Sequence, residues 1–316
     1  MGRRLAKLIG PIERLLWDRS PVVLMYHRVA PASDDLWGIA TPPDRFAEQI
    51  EALKRVRQVA PLSEVLAWME HGRPGARPLA AVTFDDGYHD ALATALPILE
   101  RLDCPATVYV ATGPVETGRS FWWDELARIV LTAARPGEPL RLTLGKRHIV
   151  WALPESRGGR ELVCRQVRRR LRGLPPDAIE AQLEIIRAWA GVPDEPEGQD
   201  RAMTPDEVGR LGKSIVTVGA HTVRHPSLPS LSAAAQLAEI AESRRACEAW
   251  TGAPVEHFAY PFGHYDRASV KAVRAAGLRS ACATTPGVVR PWTDPLRLPR
   301  ITTGGMDGEA VSRLLG

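Results

Sequence analysis

Two adjacent carboxylates, Asp85 and Asp86, end the short apolar run Leu79-Ala-Ala-Val-Thr-Phe84 and are followed at once by Gly87. Such a run reads as a buried parallel strand. The pair therefore stands at the carboxyl end of a strand, where α/β folds place their chemistry. Neighbouring side chains on an extended segment point opposite ways, so a kink after Phe84 is needed to aim both carboxylates at one site. Two such groups repel, and a cation beside them relieves the repulsion. An Asp-Gly turn with a helix N-cap would account for the same residues taken alone. A second apolar run, Ser214-Ile-Val-Thr-Val-Gly-Ala220, leads into His221-Thr-Val-Arg-His225. Two His residues four apart on a helical turn share one face and can share a metal. One carboxylate with two imidazoles leaves a coordination position open for water, as in catalytic rather than structural sites.

The elements that must position these residues alternate between strand and helix. Pro21–Val29 reads as the first strand and carries Tyr26-His27. Helices follow at 41–55 and 61–70, the second capped by Ser63, then the Asp85-Asp86 strand, a helix at 91–102 and a strand at 104–112. After the His pair come a helix at 232–252, begun by Ser232 and stopped by Gly252, and a strand at 255–260 that delivers Pro261-Phe262-Gly263. A helix at 266–276, a strand at 280–284 and Arg297–Ile301 close the series. This alternation implies a parallel α/β barrel. Residues 113–213 interrupt it and read as an inserted α/β cap. They hold a helix opened by Phe121-Trp122-Trp123, a hairpin of 140–144 and 149–153 with a four-residue connection, and helices at 158–172 and 176–190. Arg165, Arg168, Arg169, Arg170 and Arg172 form a dense basic face, either solvated or in contact with an anionic lipid or polymer.

Thr83-Phe-Asp-Asp-Gly87, His221-Thr-x-x-His225 and Tyr260-Pro-Phe-Gly263 together resemble the first three motifs of polysaccharide deacetylases of the NodB-homology type (carbohydrate esterase family 4). The resemblance runs from about Val22 to Ile301 and implies a distorted (β/α)7-type barrel. It further implies metal-dependent hydrolysis of the N-acetyl group of an N-acetylated sugar (oligosaccharide, glycolipid or polysaccharide intermediate), with release of acetate. On that pattern Asp85 is the general base. Asp86, His221 and His225 hold one divalent metal, Zn2+ first, with Ni2+, Co2+ or Mn2+ as alternatives. The Phe262 N–H stabilises the oxyanion, and Tyr260 and Pro261 border the substrate. The family's later Leu-x-His is missing, since no His follows His264. The Met25-Tyr26-His27 of the first strand is similar to the subgroup of poly-N-acetylglucosamine deacetylases, which makes His27 the general acid; first and last strands are neighbours in a closed barrel. Where the family often carries an Arg to pair with the base, this chain has Ala259, and Arg300 is the candidate replacement. Trp122 or Trp123 could stack on a sugar face, or only anchor the insert. The same metal constellation would also suit an amidohydrolase of non-sugar amides or imides, and a carbohydrate-binding barrel without activity is a third reading.

At 316 residues the chain can bury one large barrel core with an insertion. The four cysteines are scattered, with no CxxC, which argues against a disulfide framework or a thiolate zinc site and for a reducing compartment. A formal net charge of +4 is too diffuse to imply nucleic acid. Residues 1–20 mix Leu and Ile at helical spacing with Arg3, Arg4, Lys7 and Arg14. They read as an amphipathic helix, packed on the barrel or resting on anionic membrane. Without an uninterrupted apolar core there, the expected location is cytoplasmic, and peripheral at the inner leaflet if that helix rests on membrane rather than on the barrel.

Overall fold

The computed structural model describes residues 19–31, 35–72, 77–133, 138–192 and 201–316. The amphipathic segment read at 1–20 thus lies outside the described residues, apart from Arg19 and Ser20. In chain order come β1 (Val22–Tyr26), β2 (Arg28–Val29), β3 (Ala40–Thr41), α1 (Pro43–Val56), β4 (Gln58–Val59), α2 (Leu62–His71), β5 (Leu79–Phe84), a π-helical turn at Ala91–Ala95 that runs into α3 (Leu96–Arg101), and β6 (Ala106–Val110). Next are α4 (Thr112–Thr117), α5 (Trp122–Thr132), β7 (Leu140–Leu144), β8 (Arg147–Trp151), α6 (Arg157–Leu171), α7 (Pro176–Ala190) and α8 (Pro205–Leu211). The chain ends with β9 (Val216–Ala220), α9 (Ala233–Thr251), β10 (His257–Ala259), α10 (Arg267–Ala275), β11 (Ser280–Cys282) and α11 (Gly308–Leu315).

The main sheet is parallel and runs β1-β5-β6-β9-β10-β11, with β4 beside the start of β5. β6 is buried along its whole length and β5 nearly so, which is why neither shows a polar-apolar alternation. Residues 298–301 join the two ends of this sheet. Leu298 donates to Ala281 and accepts from Ala283, while Ile301 donates to Val23 and accepts from Met25, at 2.8–2.9 Å. The ring is therefore closed by a segment with no regular strand of its own, only isolated bridges at Leu298 and Ile301.

One face of the sheet packs Val23, Ala81, Tyr109, Ala259, Cys282 and Leu298 together with Leu62, Val65 and Leu66 of α2. The opposite face packs Val22, Leu24, Val82 and their neighbours against the outer helices. Gly219 makes room on β9, since a Cβ there would lie 2.5 Å from the Tyr109 ring.

Several local expectations are corrected. Ser63 is not a cap; α2 starts after Pro61 with no side-chain cap bond, and α1 likewise after Pro42. The connection of the β7–β8 hairpin is the two-residue turn Gly145-Lys146, because Leu144 pairs directly with Arg147. The sequence reading also passed over β4, α8 and α11. These are short, and tertiary pairing rather than periodicity specifies them.

A second hydrophobic core unites Leu126 and Ile129 of α5, Leu142 of the hairpin, Val167 of α6 and Leu183 and Ile186 of α7. Its buried members run from Leu126 to Ala190, with Val192 at one edge and Leu36, Trp37 and Trp122 packed against it from outside. This is narrower than 113–213, because α4 and α8 pack on α9 and the barrel. We propose Leu126–Val192 as the inserted unit. A buried charge pair ties it to the start of α5: Arg187 on α7 with Glu125, at 2.6 Å. Removing one partner strands the other charge, so Arg187→Ala should cost about 3–5 kcal/mol of stability by denaturant unfolding. Hydrogen exchange should then show lost protection across 126–192 while β5 and β6 stay protected. Uniform loss across the barrel would mean that the insert is not a separate unit.

Candidate active site

β5 carries both carboxylates to the rim of the ring. The Asp85 N–H donates to the Tyr26 carbonyl at 3.0 Å, extending the β1–β5 ladder by one residue. Asp86 then turns to φ 73° and Gly87 to φ 89°, which is the kink that the paired carboxylates required. A Cβ on Gly87 would also press on Val110 of β6 at 3.2 Å.

The kink sends the two acids to different partners. Asp85 forms a forked pair with Arg300: Nη1 to Oδ1 and Nη2 to Oδ2, both 2.6 Å. Arg300 is 1% exposed, and its remaining bonds go to the Ala283 carbonyl (2.9 Å) and Thr83 Oγ1 (3.2 Å). Burial alone would raise the Asp85 carboxyl, but the charge and hydrogen bonds of Arg300 hold it below the usual carboxylate range. His27 stands opposite, Nε2 4.0 Å from Asp85 Oδ2, with a quarter of its side chain exposed. It is fixed by its chain neighbours, since Asp90 accepts from the Val29 N–H (3.0 Å) and Arg28 Nε (2.8 Å).

Asp86 Oδ1 faces both imidazoles, 3.4 Å from His221 Nε2 and 3.2 Å from His225 Nε2. These three buried residues offer ligand atoms within 4.8 Å of one another. His221 donates Nδ1–H to the Ala259 carbonyl at 2.7 Å, which leaves its Nε2 lone pair toward Asp86. His225 Nδ1 is buried without a partner among the described residues, and burial lowers the pKa of this ring. Burial would raise the Asp86 carboxyl too, yet its contacts with the two His rings hold it well below its usual range. A carboxylate and two inward-facing imidazole nitrogens, in a site that water barely reaches, fit a divalent cation.

The His pair does not lie on a helical turn, contrary to the spacing argument. Residues 221–225 form a loop with Thr222 at φ 68° and His225 at φ 52°. Glu239 of α9 holds that loop, accepting the Val223 and Arg224 N–H groups at 2.9 Å and Arg224 Nε at 3.1 Å. Glu239 was not read from the sequence. The signal was available in α9, where Gln236, Glu239, Ile240, Ser243 and Cys247 form a buried stripe with an unexpected acid in it.

The remaining expected residues divide. Phe262 takes φ 57° and packs on His225, ring centroids 4.5 Å apart. Tyr260 is fully buried, its hydroxyl donating to Leu296, and Pro261 is buried beside it, so neither borders open space. Trp123 is 2% exposed, stacked on Phe121 and edge-on to His225, and donates Nε1–H to Tyr88 at 2.8 Å. Its face belongs to the core rather than to a sugar. Trp122 is partly buried between the two cores.

A ring of parallel strands with this cluster at the strand ends defines an α/β barrel with one metal-type centre among the described residues. The chain belongs to the polysaccharide deacetylase family, whose model matches residues 72–133 and 181–281 and passes over most of the insert. A match of 24% identity over 114 residues links it to YxkH of Bacillus subtilis (strain 168), whose assignment as a polysaccharide deacetylase is itself provisional. That match spans 36% of this chain and only 41% of YxkH. In fold the chain is similar to Streptococcus pyogenes deacetylase PplD, with a TM-score of 0.63 and 17% identity over 95% of this chain and 99% of PplD. IcaB from Ammonifex degensii gives 0.56 at 17% identity, over 94% of this chain and 98% of the other. The BpsB deacetylase domain from Bordetella bronchiseptica gives 0.55 at 17%, over 90% and 95%.

Because Glu239 holds the backbone that carries both imidazoles, Glu239→Ala should weaken binding of a divalent cation by about 10–100-fold. Titration of the metal-free protein with Zn2+ against a competing chelator measures this. Unchanged affinity would show that the loop holds its shape without Glu239.

Proposed function

We propose that this chain is a metal-dependent N-deacetylase of an N-acetylated sugar. The observation that carries the proposal is the division of labour at the β5 terminus: Asp86 faces two imidazoles while Asp85 is held ionised by Arg300, with His27 across from it. Asp86, His221 and His225 would hold the cation. Zn2+ is our first choice because it takes imidazole and carboxylate ligands and tolerates an open position. When bound, it would supply Lewis-acid polarisation of the acetyl carbonyl and a more acidic water.

The chain's own groups do the rest. Asp85 accepts the proton of the attacking water as the water oxygen adds to the acetyl carbon. The Phe262 N–H donates to the carbonyl oxygen as negative charge builds there. His27 then gives a proton to the sugar nitrogen as the C–N bond breaks, releasing acetate and the free amine. PplD, a relative in fold, is described in complex with acetate, the product this reaction would release. The first-strand His27 supports a place beside the poly-N-acetylglucosamine subgroup. Four buried, unpaired cysteines support action in a reducing compartment. No helix of the described residues is long and apolar enough to cross a membrane.

Acetate release from a panel of N-acetylated glycans, lipid-linked sugars and simple amides tests the reading. Turnover of simple amides alone would transfer the site to a general amidohydrolase, and bound glycan without any turnover would make it a binding barrel. Asp86→Ala should lose both cation and turnover, as measured by elemental analysis beside acetate release.

His27→Ala should keep the cation and lose about 10²–10⁴-fold in kcat on an acetamide. An aryl acetate ester, whose leaving group needs no proton, should suffer far less; equal losses on both would remove His27 as the acid. Arg300→Ala should likewise keep the cation yet lose most activity. Arg300→Lys should recover part of it, because the charge remains while the fork is lost. Full activity in Arg300→Ala would detach this pair from the chemistry.

A further inference from the structure

The last turn of α6 brings two arginines of the insert to the side of the metal-type site. The Arg168 guanidinium lies 4.8 Å over the Trp37 ring, and its Nε is buried without a hydrogen-bond partner among the described residues. Trp37 donates Nε1–H to Asp124 at 3.0 Å, and Tyr88 donates its hydroxyl to the other Asp124 oxygen at 2.6 Å. Tyr88 in turn accepts from Trp123, whose ring lies against His225. Arg168 is thus linked to a proposed metal ligand through a short chain of side chains. The charges it feels include Asp86 and Asp124 from the barrel side and Arg172 one turn along. Arg172 is exposed and acts on His264, the residue that follows Tyr260-Pro-Phe-Gly263.

Neither arginine forms an ion pair among the described residues. Helix C-termini favour cations, which accounts for the exposed Arg169 and Arg170. It does not account for Arg168, whose Nε is withdrawn from water without a compensating acceptor. Residues four apart share a helix face, so Arg168 and Arg172 also repel each other unless an anion stands between them.

We infer that Arg168 and Arg172 form an oxyanion subsite at the mouth of the active site, so that the N-acetylated substrate carries a phosphate or carboxylate beside the reacting sugar. Trp37 is the positioning residue, with the Arg168 guanidinium lying over its ring. The inference rests on the deacetylase reading for the sugar and on these residues alone for the charge.

Calorimetric titration of the metal-loaded full chain tests it. The ligands are N-acetylglucosamine 1-phosphate, an N-acetylglucosamine–glucuronic acid disaccharide, and the neutral methyl glycoside of N-acetylglucosamine. At least one charged ligand should bind about tenfold or more tightly than the neutral one, and this preference should shrink as salt is raised. The stronger of the two charged arms names the source of the oxyanion. In Arg168→Gln and in Arg172→Gln the ratio of affinities should fall toward one, and Arg168→Lys should restore part of it. Should Arg168→Gln fail to fold, Arg172→Gln and Arg168→Lys carry the same comparison. A preference that survives both Gln substitutions together would place the anion on the metal and overturn the inference, as would equal binding of all three ligands. Acetate release, measured in parallel, separates the two readings. An arginine-dependent preference with no release would keep the subsite and sink the deacetylase, whereas release without any charge preference would do the reverse.

Discussion

The buried fork between Arg300 and Asp85 is the contact on which the rest of the site depends. Its two 2.6 Å bonds join residues 215 apart in sequence. Arg300 sits between Leu298 and Ile301, where the chain stitches the last strand to the first. Closing the ring and pairing the acid are therefore one event. A guanidinium with no access to water is tolerable only because carboxylate, hydroxyl and carbonyl acceptors together surround it. The pair also decides where each acid points. With both of its oxygens turned to Arg300, Asp85 is drawn away from the imidazoles, and Asp86 alone meets them.

Around this pair the backbone is strained in a concentrated way. Of the five described residues other than glycine with positive φ, four are Asp86, Thr222, His225 and Phe262. Each such conformation costs on the order of 1–3 kcal/mol and persists only where neighbours over-determine it. The neighbours are identifiable. Thr222 Oγ1 accepts the His225 N–H at 3.1 Å, Glu239 takes the next two amides of the loop, and Gly113 donates to Val223 at 2.8 Å. The strain is local to the residues that aim donor atoms inward, and the bonds that offset it come from α9 and α4.

The insert is joined to the same centre through the aromatic start of α5. Trp123 anchors the start of α5 beneath His225, and Asp124 ties Trp37 and Tyr88 together beside it. Past that anchor the insert keeps its own core. It can therefore vary what it presents at the mouth without disturbing the ring, which is the usual relation between a scaffold and the elements that select its ligand.

Several elements were legible from sequence because their signals are local. β5 and β6 announce themselves as unbroken apolar runs, Ser232 accepts the amide that begins α9, and Gly252 ends it with φ 68°. The Asp85-Asp86-Gly87 kink and the meeting of one of the two carboxylates with His221 and His225 also followed from residue type and strand-end position, whereas the choice of Asp86 over Asp85 came only from the family resemblance. What the sequence could not decide was side-chain direction over long distance. Periodicity carries no information on whether Tyr260 or Trp123 faces a ligand or the core, and both are buried. The His spacing suited a helical turn, yet Glu239, contributed from another helix, holds those residues as a loop. Arg300 could be nominated only because the expected cation was missing at Ala259. Its fork on Asp85 exists because the ring closes there, and a contact across 215 residues is set by closure rather than by any local preference.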